Sequence, residues 1–591
     1  DLGLPTVVND LGNWAARGML RFDPDLLDMN WILNLHGSQR DQLAPLGQQI
    51  GTRGDVTLPD GSSQRGLLGG QNSKGYRDPD ISKQLNQIRL DYIDQGLAPR
   101  DARNQAALDL APVLARNLDS DPRVGDYNRV GSVRNDTFGA LLRGDMVFFD
   151  SVDFTTISAF ESFDRWNDQD IDNSPDPMFE VEQKDEGWQF SQDFRFNGEF
   201  GDSLRWESGV YLLTDQLHVN NKSFTSAAQT NFGSPRRIYT QETINVAGYF
   251  GLDWDIWEVL TLDGGVRLNW EEKSMAYSLF EVGPAKENSE TVSWTVPTGS
   301  IRLDYHFGET TDLFVKYGHG WKSGHFNAAS SVDTAGIQQA EPEEIDAWEA
   351  GFRGAWFDHR LALNSSFFYY RYQNYQVFTF VQGFNVPPEL KVINANDAEN
   401  YGAEIEVNLR PWDELFVRAS LGWLESEYLD FTQENAVQVI SIVDGVPRQT
   451  NFPILIDNSG NRLTNSPQLS LTLTASYTLD LGKFGTLIPR YDAAWKSETF
   501  FDPTEGRGTP NAGGGDFVLP EGTLAQAPFW LHNARLEWVS SGGSVTLAGW
   551  VRNAGDELYK AGAFNAEGFG NFTVFFVGDP RTYGIDIRYQ F

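Results

Sequence analysis

The chain has 591 residues, no cysteine and a formal net charge of −36, with 40 Phe, 20 Tyr and 18 Trp. Without cysteine there are neither disulfides nor thiolate metal sites, and the acidic balance argues against nucleic acid, whose phosphates select basic surfaces. No run of about 18 apolar residues occurs, which excludes helical membrane spans.

In chain order, one texture repeats from about residue 12 to the end, with no composition shift or linker to mark separate soluble domains. Segments of roughly ten residues alternate apolar with polar, the period of a strand wet on one face only. The first is Trp14–Phe22. Asp153–Arg165 gives no clear face. In 262–270, Leu262, Val266, Leu268 and Trp270 oppose Asp263, Arg267, Asn269 and Glu271. In 403–410, Ala403, Ile405, Val407 and Leu409 oppose Glu404, Glu406, Asn408 and Arg410. Leu469, Leu471, Leu473 and Tyr477 oppose Ser470, Thr472, Thr474 and Ser476, and Arg490 with Asp492 opposes Tyr491 and Trp495. The last segment sets Tyr583, Ile585, Ile587, Tyr589 and Phe591 against Asp586, Arg588 and Gln590. An apolar face ending on aromatic residues and left uncovered points to lipid, and the charged face to a wet lumen.

Connection lengths give orientation. Short links fall at Asp150–Asp153, Phe200–Leu204, Trp257–Leu260, Gly308–Asp312, Phe357–His359, Pro411–Glu414, Leu481–Gly485 and Ser540–Gly543. Longer stretches lie near 221–238, 276–290, 324–341, 430–464, 501–524 and 560–577. In outer-membrane barrels short turns are periplasmic and long loops extracellular. The expected fold is all-β: a large transmembrane antiparallel β-barrel of the 22-stranded type. About nineteen strands are expected in this chain, and three more outside it. The longest loop, 41–134, is expected to carry short helices at Ile81–Gly96 and Asp101–Leu118. Asp101 would cap the second and Pro112 interrupt it. That loop is either a lid over the mouth or a cap that limits access to it.

Five motifs in order resemble the barrel of TonB-dependent outer-membrane receptors. They are Gln241-Glu-Thr with Leu260-Thr-Leu-Asp-Gly-Gly-Val-Arg267; Glu341-Pro-Glu-Glu-Ile-Asp-Ala-Trp-Glu-Ala-Gly-Phe-Arg353; Tyr401-Gly-Ala-Glu-Ile-Glu406; Asn553-Ala-Gly-Asp-Glu-Leu-Tyr559; and Asp579-Pro-Arg-Thr-Tyr-Gly584 before the terminal strand. The fourth departs slightly from the family form. The resemblance implies a bacterial outer-membrane importer, energised by TonB through an N-terminal plug, for ferric siderophores or other chelates, cobalamin or oligosaccharides. No plug, TonB box or signal peptide is recognised in the sequence, so the chain is expected to be part of a larger protein. Its plug would be cleaved, separately encoded or simply outside this chain.

Candidate contact residues stand near extracellular strand ends. Arg236, Arg237 and Tyr239 would grip an anionic chelate or pair with nearby carboxylates. His319, Trp321, Lys322 and His325 form a second group, set against ordinary solvated side chains. Asp168, Asp170 and Asp172 resemble a loose calcium sequence, though the turn glycine and bidentate Glu are missing. Tyr583, Ile585, Ile587, Tyr589 and Phe591 are expected to act as the assembly signal. Lipid and lipopolysaccharide are the expected surroundings, the latter bridged by divalent cations if acidic loops hold them. A surface protein capping the mouth is a further expected partner. No catalytic or cofactor motif emerges. The alternatives to import of a chelate are a glycan-uptake receptor of the same fold, a surface structural or adhesive barrel in a multi-chain assembly, and a passive porin.

Overall fold

The computed structural model describes residues 12–24, 29–44, 47–49, 53–57, 63–67, 123, 127–148, 151–171, 173, 179–225, 236–280, 285–328, 337–381, 389–443, 446–508, 522–566 and 572–590. One antiparallel sheet of twenty strands dominates it. Two of these, Leu469–Tyr477 and Leu479–Asp480, are pieces of one strand interrupted at Thr478, and both pair with Thr486–Lys496, so the sheet makes nineteen crossings. Each crossing pairs with the next in chain order, from Asn13–Phe22 with Met29–Leu43 to Val545–Arg552 with Thr582–Tyr589. All eight short links expected from the sequence fall between consecutive paired strands, and seven of them lie wholly within the described residues. Glycine supplies the left-handed residue at Gly308 (φ 82°) and Gly543 (φ 72°), whereas in the turn after Trp356 the non-glycine residues Phe357, Asp358 and His359 adopt it.

Strand length departs from expectation. Phe179–Phe200, Leu204–Thr225 and Arg236–Trp257 have 22 residues each, and Leu260–Phe280 and Lys286–His306 have 21. A membrane crossing needs about ten, so these hairpins continue as ladders well beyond the lipid. Residues 221–225, 236–238, 276–280 and 286–290 are therefore strand, not loop. Leu361–Val381 and Glu389–Leu409 also have 21 residues each, whereas Thr311–Lys322 has 12 and Val545–Arg552 has 8.

The two faces differ as the alternation requires. Phe250, Val266, Leu268, Val315, Phe367 and Leu536 are exposed outward, the arrangement for lipid contact. Aromatic rings bound this apolar band. On the extracellular side Trp348 lies 5.4 Å from Tyr317 and 5.7 Å from Tyr369 (ring centroids). At the short turns Phe200, Trp257, Phe307, Phe357 and Phe484 stand exposed, the lower girdle. Tyr583, Ile585, Ile587 and Tyr589 are all at least 65% exposed on the outward face of the last strand. Phe591 lies outside the described residues. So do the expected helices of 41–134, where the described pieces are the strands Gln48–Gln49, Arg53–Thr57 and Ser63–Leu67.

Candidate functional site

The inner face is polar because sequence spacing makes it so. Residues i and i+2 of a strand share a face, so an Arg-x-Asp triplet pairs with itself on the luminal side. Arg143–Asp145 (2.9 Å), Arg302–Asp304 (2.6 Å), Arg490–Asp492 (2.8 Å) and Arg535–Glu537 (3.1 Å) all follow this rule. Solvated pairs contribute at most about 1 kcal/mol each; their effect is a wet, locally neutral wall. The repeated triplet is a sequence signal of which only Arg490 and Asp492 were singled out above.

Toward the extracellular end the luminal face carries a continuous polar chain across four strands. Arg165 donates to Asp185, which is wholly buried. Gln183 also donates to Asp185 (3.0 Å) and accepts from Asn221 (2.8 Å); Ser223 donates to Asn221 (3.3 Å), and Arg237 Nη1 to Ser223 Oγ (3.3 Å). Asp185 Oδ1 and Arg237 Nε are buried with no hydrogen-bond partner among the described residues, an unfavourable state that an incoming polar group relieves. Tyr239 stacks on Tyr277 beside this chain, with centroids 6.4 Å apart and planes at 17°.

Of the first predicted group, Arg237 and Tyr239 therefore share the luminal face. Arg236 does not: it points outward and donates to Asn220 (2.9 Å). Neither arginine has a carboxylate within ion-pair distance among the described residues, so the expected pairing with nearby acids is replaced by Asn220 and Ser223.

The second group is split by the same alternation. Tyr317, His319 and Trp321 have outward parity. His319 Nδ1 lies 3.0 Å from Asp346 Oδ1, an atom that also accepts from the Tyr317 hydroxyl (2.7 Å). Lys322 has luminal parity, and His325 follows in the connection after it. Burial and the neighbouring Lys273 and Lys322 ammonium groups hold the His325 imidazole below its ordinary value.

The described ends of the connection after Lys322, residues 323–328 and 337–342, pack on the wall. Phe326, Ala328 and Ile337 bury against Met275, Tyr277 and Leu279, the luminal face of the tall strand Leu260–Phe280. Asn327 donates to Val392 O (2.8 Å) and accepts from Val392 N (2.9 Å). Gln376 Nε2 donates to Ser323 O (2.9 Å) and Glu341 O (3.0 Å), and Lys273 Nζ to Gly324 O (3.0 Å). These contacts tie the two ends, beside the shorter strands Thr311–Lys322 and Glu343–Trp356, to the taller strands Leu260–Phe280, Leu361–Val381 and Glu389–Leu409.

Two of the three aspartates of the loose calcium sequence have other partners among the described residues. Asp168 is paired with Arg129 (2.8 Å), and Asp170 accepts from the Asn173 backbone N–H (2.8 Å). Asp172 lies outside the described residues. Among the described residues no three His, Asp or Glu are placed to hold a metal ion.

The family model for the TonB dependent receptor-like β-barrel matches residues 48–554. This chain belongs to the TonB-dependent receptor β-barrel family. That family consists of outer-membrane receptors and transporters, not enzymes. Solved structures of similar fold include the ferric yersiniabactin uptake receptor FyuA from Yersinia pestis, at 17% identity and TM-score 0.67, with 98% of this chain and 72% of that one covered. The siderophore receptor PiuA from Acinetobacter baumannii gives 12% identity and TM-score 0.63, with 98% and 74% covered. The ferric citrate transporter FecA, unliganded, gives 16% and 0.60, with 99% and 71% covered. At these identities the likeness establishes the TonB-dependent receptor fold and no ligand.

Proposed function

We propose that the protein imports a scarce nutrient, a ferric siderophore or similar metal chelate, across the outer membrane with energy delivered through TonB. The family match over residues 48–554 carries this reading. The uptake receptors named above, for ferric yersiniabactin, a siderophore and ferric citrate, support the substrate class. In this reading a plug outside the described residues closes the lumen and couples to TonB. Arg237, Tyr239 and Lys322 are contact candidates on the luminal side, and His325 on the connection above them. Uptake of radio-iron by a deletion strain complemented with the gene, offered a panel of ferric chelates, is the test. Uptake that needs the gene and stops on adding a protonophore fits. Indifference to every chelate, or a permanently open pore in a planar bilayer, sinks the proposal.

A further inference from the structure

Segments far apart in the chain meet beyond the strand ends on the extracellular side. Among the described residues Asn13–Phe22 pairs only with Met29–Leu43, and Thr582–Tyr589 only with Val545–Arg552, so a seam separates the first crossing from the last. The connections on the two sides of that seam touch. Gln48–Gln49, which follows Met29–Leu43, pairs with Phe572–Val577 in the connection that leads to the last crossing, and that strand also pairs with Lys560–Ala566. Gln48 stands opposite Phe575, and Gln49 opposite Val574.

Each side of this junction is tied to its own rim. On one side Lys560 Nζ donates to Gly522 O (2.8 Å), Thr523 O (2.9 Å) and Ala525 O (3.0 Å), and Tyr559 stacks on Phe529 with ring centroids 4.7 Å apart. On the other, the Gly47 N–H donates to the buried Asn173 Oδ1 (2.6 Å), Gly47 O accepts from the Tyr127 hydroxyl (3.0 Å), and the Ala44 N–H donates to Gly131 O (2.9 Å). Across the junction, among the described residues, run the two registered pairs and the ion pair of Arg123 with Asp556 (3.1 Å), whose side chains are both partly exposed. A solvated ion pair adds little.

The junction is nonetheless fitted. A Cβ on Gly47 would meet Phe575 O and Val574 Cγ1, each at 2.8 Å, and Val574 is wholly buried. Glycine at so close an approach leaves room that no side chain would. A fitted contact held by few bonds is the form of an element with two arrangements rather than of a permanent wall. We propose that this junction is a latch between the two rims, closed as it stands here and opened while cargo passes; the inference rests on the import reading above.

The chain has no cysteine, so introduced thiols are the only ones it carries. Registered antiparallel partners have the Cα spacing that a disulfide needs, so Gln48→Cys with Phe575→Cys can be oxidised in the full-length receptor in cells. Cross-linking is expected to abolish energised uptake of a ferric chelate, and dithiothreitol to restore it. Equal uptake by the oxidised and reduced forms overturns the proposal, as does a pair that never cross-links. Val574→Cys places a thiol beneath the closed latch, with Gly47→Leu as the open reference and heat-shifted gel migration as the folding control. A membrane-impermeant maleimide should label Val574→Cys slowly, faster during uptake, and fastest when Gly47→Leu is added. No labelling over hours, or a rate that uptake leaves unchanged, marks a permanent brace and overturns the latch. If Gly47→Leu does not fold, the cross-link decides. A reduced receptor that carries no chelate defeats the import reading, and slow labelling of Val574→Cys, against none, still decides whether the junction opens.

Discussion

Arg236 and Arg237 are neighbours in the chain and stand on opposite sides of the wall, one bonded to Asn220 outside and the other to Ser223 inside. Their identical chemistry therefore separates luminal from external roles. Arg237→Gln is expected to weaken binding of an anionic ferric chelate such as ferric citrate by several-fold, about 1–2 kcal/mol for one charged hydrogen bond. Arg236→Gln is expected to leave affinity within error. Equilibrium titration by tryptophan fluorescence reads both, and equal effects from the two variants would remove Arg237 from the contact set.

His325 gives the mouth a pH dependence with a defined sign. Its folded-state pKa is lowered, first by partial burial of a ring that keeps an exposed side and then by Lys273 and Lys322, so the folded state favours the neutral ring. The stabilisation is complete above the unfolded value of about 6.5 and is lost as pH falls from there through the folded value. Amide exchange in 323–328 and 337–342, corrected for intrinsic rates, should accelerate as pH drops below that point. His325→Gln should flatten the profile; an unaltered slope counts against the histidine.

Asn327 is the fastener of the same segment. Replacing it with Ala leaves Val392 N–H and C=O without their side-chain partner, at a cost of about 1–3 kcal/mol per buried unsatisfied group. Local protease sensitivity of the segment should rise while the barrel keeps its global melting temperature. A lowered melting temperature of the whole barrel would show that the segment is not a separable unit.

Val266, 67% exposed between outward Gly264 and Leu268, tests the solvent of the outer face. Val266→Arg should destabilise the barrel in bilayers by about 2–4 kcal/mol near the midplane. Ser366→Arg, on the luminal face, should cost far less. Urea unfolding from lipid vesicles measures both, and parity between them would argue against lipid as the outer solvent.

The exposed apolar row Tyr583, Ile585, Ile587 and Tyr589 predicts that Ile587→Asp lowers the amount of folded barrel in the membrane more than Arg588→Asp does. Heat-modifiable migration of membrane fractions provides the readout. Equal yields would dismiss this row as an assembly determinant.

The band inside lipid was legible in the sequence, as were its turns, because water and hydrocarbon on opposite faces impose a strict period. Leu268 and Trp270 face out as their alternation says. Five residues beyond Trp270, an odd step, the apolar side changes hands: Met275, Tyr277 and Leu279 face in, under the connection 323–342. Above the membrane the outer face is wet and the inner one covered, so the phase reverses and the sequence reads as loop. Arg237 and Tyr239 share the luminal face because they are two apart, whereas Arg236 and Trp321 stand on the other face from their neighbours Arg237 and Lys322 because proximity in the chain ignores that period. Asp168 is matched by Arg129, 39 positions upstream, which no spacing rule in the aspartate run could reveal.

The unequal heights of the strands decide where the mouth can move. Hairpins between Leu204 and His306 are stitched by uninterrupted runs of cross-strand pairs up to their far ends, so bending them means tearing many bonds at once. The strands Leu469–Tyr477, Thr486–Lys496, Phe529–Val539 and Val545–Arg552 have 11 residues or fewer, so bending that side breaks far fewer cross-strand bonds.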